Sequence, residues 1–309
     1  MIATRPPART PPPLHAGRPH GWTLVELLVA LPLLALAGLV AASLVLDAHR
    51  LARRSTYRIA ATRELRHAAL ALAADLRPLA PADLSVVTDT SIEFDAQLGV
   101  GFVCGSAAAL DIVHLLPVGG TDPLRTLWHT APQPGDRAAI VLASPDHRGR
   151  PFVLDRAIAG VATDASACAT APVRAGSGAP VALRVEPPLP LRPETGAAVR
   201  LHRTTRVSTY RAGDGRWYLG RRTRIGGIWE TIQPVAGPLR PPREGGLRLT
   251  LRDADGASVA LPESARVVDI RLMAAPSPND GRSPSPRVEP VQVRVVLRGP
   301  RDAGPHGAP

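Results

Sequence analysis

The sequence predicts an α+β protein. One long N-terminal helix, with a membrane half and an amphipathic half, would pack on a mainly antiparallel β-rich globular domain. Three observations predict it. From Gly21 to Leu46 the chain is apolar apart from Thr23, Glu26, Pro32, Gly38 and Ser43. As a helix this run would be about 37 Å long, enough for a hydrocarbon core of about 30 Å. Leucines then recur at seven-residue steps, at Leu44, Leu51, Leu65, Leu72 and Leu79, with Arg58 at the missing step. Past Asp83 the pattern changes to short runs of β-formers separated by Gly, Pro and Asp.

The elements follow in order. Residues 1–21 are rich in proline, carry Arg5, Arg9 and Arg18 and have no acid, so they cannot fold alone; they suit a cytoplasmic leader. Residues 22–46 form the apolar helix. One residue there is out of place: a carboxylate at the centre of a membrane helix costs roughly 2.5–3.5 kcal/mol, and Glu26 near its end still needs a partner. Pro32 predicts a kink in an isolated helix. Residues 47–81 continue the helix amphipathically. Leu76 and Ala69 flank the leucine stripe, while Arg50, Arg53, Arg54, Arg63, Glu64 and Arg66 cover the rest. Pro78 and Pro81 end the element, which is read as Trp22–Arg77.

Residues 82–298 read as the β-rich domain. Expected strands include Ser91–Phe94, Gly101–Cys104, Ala138–Ala143, Ala198–Tyr210, Trp217–Arg224, Trp229–Pro234, Leu247–Arg252, Val267–Met273 and Val291–Arg298. Asp214-Gly215 and Asp255-Gly256 signal hairpin turns. Gly99-x-Gly101 reads as a turn flanking a strand. Thr170–Pro180, Pro276–Pro290 and the tail 299–309 have the composition of disordered segments.

The residues Gly21, Trp22, Thr23, Leu24, Val25, Glu26, Leu27, Leu28 and Val29 resemble the class III signal of type IV pilins and pseudopilins. The small residue precedes the apolar run, and an acid stands fifth after it. In that family a prepilin peptidase cuts after the glycine and the new first residue is N-methylated. The resemblance therefore implies cleavage after Gly21 and methylation of Trp22, where the family usually has Phe. It also implies a pilin-like fold, a single-pass inner-membrane protein with its C-terminal domain in the periplasm, and assembly with other pilins or pseudopilins through Glu26. The C-terminal third, with its hairpin around Asp214-Gly215, Trp229-Glu230, Gln233-Pro234-Val235 and the last two strands, looks like PilW-type minor pilins and the J-type minor pseudopilin of type II secretion. The implied function is a structural subunit of a type IV pilus or a type II secretion pseudopilus.

Composition bounds the alternatives. The chain has 309 residues with 34 Pro, 27 Gly and only 3% aromatics, so its core must be built from aliphatic side chains. Every basic residue is arginine, and the formal charge is +11. Such a charge can attract nucleic acid or anionic lipid, though the arginines are scattered. The alternative function is a tip-located subunit that engages DNA or a secreted substrate if Arg221, Arg222 and Arg224 cluster. Cys104 and Cys168 both follow the apolar segment; in an oxidising compartment a disulfide between them can form and persist. Neither has neighbours at metal-ligand spacing. Asp253-x-Asp255-Gly256 resembles the start of a calcium loop but lacks the twelfth-position acid, where Ser264 stands; a hairpin turn accounts for it better. No paired carboxylates and no nucleophile motif are found, so no enzyme, cofactor or metal is expected.

Overall fold

The computed structural model describes residues 23–106, 109–118, 125–143, 151–164, 168, 180–276 and 289–298. The leader, Gly21, Trp22, most of the two loops expected to be disordered, and the tail lie outside them. The chain divides into two compact units after Thr56.

A single helix, α1, spans Leu24–Leu76. It stops just short of Pro78, because the residues before a proline are pushed out of the helical region. Pro32 sits inside α1 without interrupting it. Its missing N–H removes one bond of the ladder, and the turns on either side carry the element through. In the first unit α1 is bare: from Leu24 to Leu46 every residue except the half-buried Ala30 is exposed.

In the second unit the helix has one buried stripe, Leu65, Ala68, Ala69, Leu72, Ala73 and Leu76. The steps of three and four keep those six on one face. Three of them are alanine, which lets the backbone come close to what it covers. Leu79 is buried as expected, but Leu44 and Leu51, earlier members of the seven-residue series, are exposed.

The larger sheet holds eleven antiparallel strands. They are β1 (Leu84–Val87), β2 (Ser91–Ser106), β3 (Ile112–Leu115), β4 (Leu127–Trp128), β5 (Arg137–Ala143), β6 (Pro151–Thr163), β7 (Val181–Glu186), β8 (Ala198–Arg211), β9 (Trp217–Ile225), β10 (Ile228–Trp229) and β11 (Gln233–Leu239). Because β8 pairs with both β2 and β5, the strands β2, β3, β7, β6, β5 and β8 form a closed ring. Alternate residues fill its interior, among them Val113, Leu115, Ile140, Ile158, Leu183, Val199 and Leu201. A smaller sheet follows, ordered β13, β12, β14, β15, from β12 (Leu247–Arg252), β13 (Ser258–Val259), β14 (Val267–Leu272) and β15 (Val291–Val296).

Strands β2 and β8 are long enough to serve two cores. Beyond the ring, Ile92, Phe94, Ala96 and Val207 join the helix stripe and the inner face of the smaller sheet (Leu247, Leu249, Leu251, Val268, Ile270, Leu272) in one cluster. A register shift between Gln97 and Gly99 marks where β2 passes from one core to the other.

The two glycines expected in a turn lie inside β2. A Cβ on Gly99 would sit 2.6 Å from Trp128 Cα, and one on Gly101 would sit 2.8 Å from Leu115 Cδ1. Glycine is there because β4 and the ring interior come too close for a side chain. The hairpin signals fall on turns: Gly215 (φ 79°) joins β8 to β9, and Gly256 (φ 85°) joins β12 to β13. Asp253 Oδ1 accepts from the N–H groups of Asp255 and Ala257 at 3.0 and 2.9 Å, so the calcium-like sequence is an Asx-stabilised turn. The strand expected at Trp229–Pro234 is divided, β10 ending at Trp229 and β11 starting at Gln233.

Candidate functional site

Two places carry unusual chemistry, one in each unit. In the first unit Thr23 and Glu26 form a reciprocal pair at the start of α1. Glu26 Oε2 accepts from the Thr23 N–H at 3.0 Å and from the Thr23 hydroxyl at 3.2 Å, while Thr23 Oγ1 accepts from the Glu26 N–H at 3.3 Å. This is a capping box, in which two helix-end donors are satisfied by two side chains. Its signature, Thr-x-x-Glu before an apolar run, stands in the sequence. The acid therefore has a partner within its own chain. The small residues Ala35, Gly38, Ala41 and Ala42 are exposed, and a Cβ added to Gly38 would meet nothing within 4 Å.

In the second unit the larger sheet has a polar face. Cross-strand neighbours place Glu93, Asp95 and Gln97 of β2 opposite Arg206, Thr204 and His202 of β8. Arg206 donates to Glu93 through Nε at 2.9 Å, and the Thr204 hydroxyl donates to Asp95 at 2.9 Å. His202 Nε2 lies 3.5 Å from Asp155 Oδ1 and 3.7 Å from Asp95 Oδ2. Burial raises the affinity of Asp155 for a proton, but its bonds to His202 and Arg137 outweigh that and hold the carboxyl below the usual carboxylate range.

At the end of this face three guanidinium groups surround one indole. The Cζ atoms of Arg206, Arg222 and Arg224 lie 4.6, 5.0 and 6.0 Å from the Trp229 ring centroid. Of the arginines expected to form a patch, Arg222 and Arg224 are there. Arg221 is not: successive residues of a strand point to opposite faces, and Arg221 pairs with Asp75 of α1 at 2.8 Å. Burial raises the Asp75 pKa, against the opposing pull of Arg221 and His129. Arg206 and Trp229 complete the cluster through register alone, since Arg206 faces Arg222 and Trp229 faces Arg224.

Two further features hold the unit together. Asp136 and Arg203, both buried, form a two-pronged pair at 2.6 and 2.8 Å, and Asp136 also accepts from the Gln133 N–H at 2.7 Å. Cys104 of β2 and Cys168 form a disulfide with Cα atoms 5.4 Å apart, packed with Leu116 against Phe102. Among the described residues no group of three or more His, Cys, Asp or Glu side chains is arranged to hold a metal ion.

Compared with models of protein families, with curated proteins and with solved structures, the chain matches none. It is an α+β protein whose N-terminal helix is long and apolar enough to cross a membrane, followed by a large antiparallel β domain.

Proposed function

We propose that this chain is a minor pilin or pseudopilin, a structural subunit of a type IV pilus or a type II secretion pseudopilus. Prepilin peptidase would process it after Gly21, the inner membrane would hold it with the β domain in the periplasm, and its N-terminal helix would then enter a filament. One observation carries the reading: α1 is apolar and exposed on every side over Leu24–Leu46, with a single acid at its start. A helix with no buried side needs surroundings that are apolar all round, which lipid and a core of like helices both supply. In such a core the Glu26 carboxylate would leave Thr23 and accept a charge-assisted bond from the Trp22 amine of a neighbouring subunit. The small residues Ala30, Ala35, Gly38, Ala41 and Ala42 would permit close approach.

The capping box makes the test sharp. Glutamine at the third helical position still completes a capping box, but it carries no charge. Glu26→Gln should keep the helix start and membrane insertion and abolish incorporation into filaments, whereas Thr23→Ala should weaken the cap and leave incorporation intact. Equal incorporation of Glu26→Gln and the wild-type chain would reduce the acid to a cap and sink the proposal. Mass spectrometry of the mature chain should find N-methylated Trp22 at its start.

A second reading is favoured by the arginines around Trp229: a filament subunit that also binds a partner through its β domain.

A further inference from the structure

The second unit gathers more positive charge around Trp229 than it neutralises. A guanidinium stacked on an aromatic face keeps its in-plane N–H fork available for another partner. Arg206 uses its fork on Glu93. Among the described residues Arg224 gives only Nε, to the Gly227 carbonyl at 3.0 Å. Arg222 has no carboxylate partner among the described residues, and its Nε is buried with no acceptor. Glu230, next in the chain to Trp229, accepts from the Thr223 hydroxyl. Three cations thus share one ring, with Glu93 paired to one of them and Glu230 bonded to Thr223, which leaves a net positive cluster that an anion would stabilise.

The sheet edge beside them supplies the space. The outer edge of β9 is taken by β11 as far as Arg221 and by β10 from Arg224. Between the two opens a groove of about 690 Å³, lined by Arg221, Arg222, Trp229, Glu230, Gln233 and Val235, with Arg224 beside it on β9.

We propose that this groove binds single-stranded nucleic acid. The Arg222 and Arg224 forks would take phosphate oxygens, and the apolar surface of Trp229 and Val235 would take base faces. A strand offers anionic and planar groups side by side at every nucleotide, and the groove has a match for both; a run of acidic residues such as polyglutamate offers only the first. The cations also fit one strand better than two. All three lie within 6.0 Å of a single ring, whereas a duplex presents two backbones across grooves of about 6 and 12 Å. This inference rests on the binding-subunit reading and on the second unit alone, so it can fail while assembly stands, and the reverse.

The test uses the full chain in detergent micelles and a fluorescent thymidine oligonucleotide, followed by anisotropy over a range of salt. Binding should weaken with salt. The double variant Arg222→Gln/Arg224→Gln should lower affinity at low salt about tenfold and flatten the slope of log K against log salt by about 0.7 for each phosphate it no longer neutralises. Arg294→Gln, on the smaller sheet, should change neither, and an unfolding midpoint shared with the wild type would show that the double variant is folded. Trp229→Leu, which keeps the charges but removes their platform, should also weaken binding. The proposal is overturned by no binding at low salt, by an equal loss in Arg294→Gln, by equal affinity for polyglutamate, or by tighter binding to duplex than to the single strand.

Discussion

The two halves of α1 solve opposite problems with one backbone. Between Leu24 and Leu46 the leucines and valines point in all directions, and none of those large side chains is buried; Leu36, for example, is 61% exposed. Between Tyr57 and Leu76 the buried residues are confined to Leu65, Leu72, Leu76 and three alanines, while arginines take the open side. The second half makes specific side-chain bonds as well: Glu64 accepts from the Gly237 N–H at 3.0 Å, and the Tyr57 hydroxyl donates to the Ala275 carbonyl at 3.3 Å. The first half bonds to itself, as where the Ser43 hydroxyl donates to the Val40 carbonyl at 2.8 Å. The contrast teaches that hydrophobicity alone does not assign a helix a partner. Its distribution around the axis does, and a helix apolar all round is built for an apolar solvent.

Matched substitutions in the two halves should break that contrast if it is wrong. Leu72→Ala removes a buried side chain and should cost about 2–5 kcal/mol of unfolding free energy in denaturant titration. Leu36→Ala, the same change at an exposed site, should stay within about 0.5 kcal/mol. Leu36→Arg should act elsewhere: it adds roughly 2.5–3.5 kcal/mol to membrane insertion, seen as loss from the membrane fraction, with the denaturation midpoint of the β domain unchanged.

Within the second unit, Asp136→Ala leaves Arg203 buried and unpaired and should cost about 3–5 kcal/mol, measured the same way. A smaller effect in this unit is acid dependence. Bonds from Arg294, and then Arg252, hold the Asp269 carboxyl below its ordinary range despite partial burial. A lowered folded pKa stabilises the protein above the ordinary carboxylate value and loses that contribution as pH falls through the lower, folded one. Asp269→Asn should therefore cost up to about 1 kcal/mol near neutrality, little because the group is near the surface. The difference should vanish in strong acid, with no change in membrane association at either pH.

Much of this was legible in the sequence, and what was not has a common cause. The helix stripe could be read because its period is local, and Asp214-Gly215 and Asp255-Gly256 because a tight turn needs a positive φ. Gly99 and Gly101 misled, since their reason is the approach of Leu127, Trp128 and Leu115, residues distant in the chain. The ring of six strands and the two cores it separates depend on β2 meeting β8, which no local pattern announces. At the sites the same rule holds. Arg222 and Arg224 could be named but not distinguished from Arg221 until strand register put Arg206 and Trp229 beside them. Glu26 is the exception: its capping partner is three residues away, and Thr-x-x-Glu is a local signal hidden behind the more specific resemblance.

Ring closure also orders events in time. Ser91 pairs with Ser208 and Phe102 with Ala198, so β2 must wait for roughly a hundred intervening residues before its principal neighbour exists, and pairings this distant form slowly. A chain made from its N-terminus exposes α1 first and β8 late. During that interval the edge of β2 that will pair with β8 and the stripe from Leu65 to Leu76 stand open together, and exposed apolar surface and unpaired strand edges favour wrong partners. The arrival of β8 closes the ring, whereas the core over the helix stripe is complete only once the smaller sheet has followed.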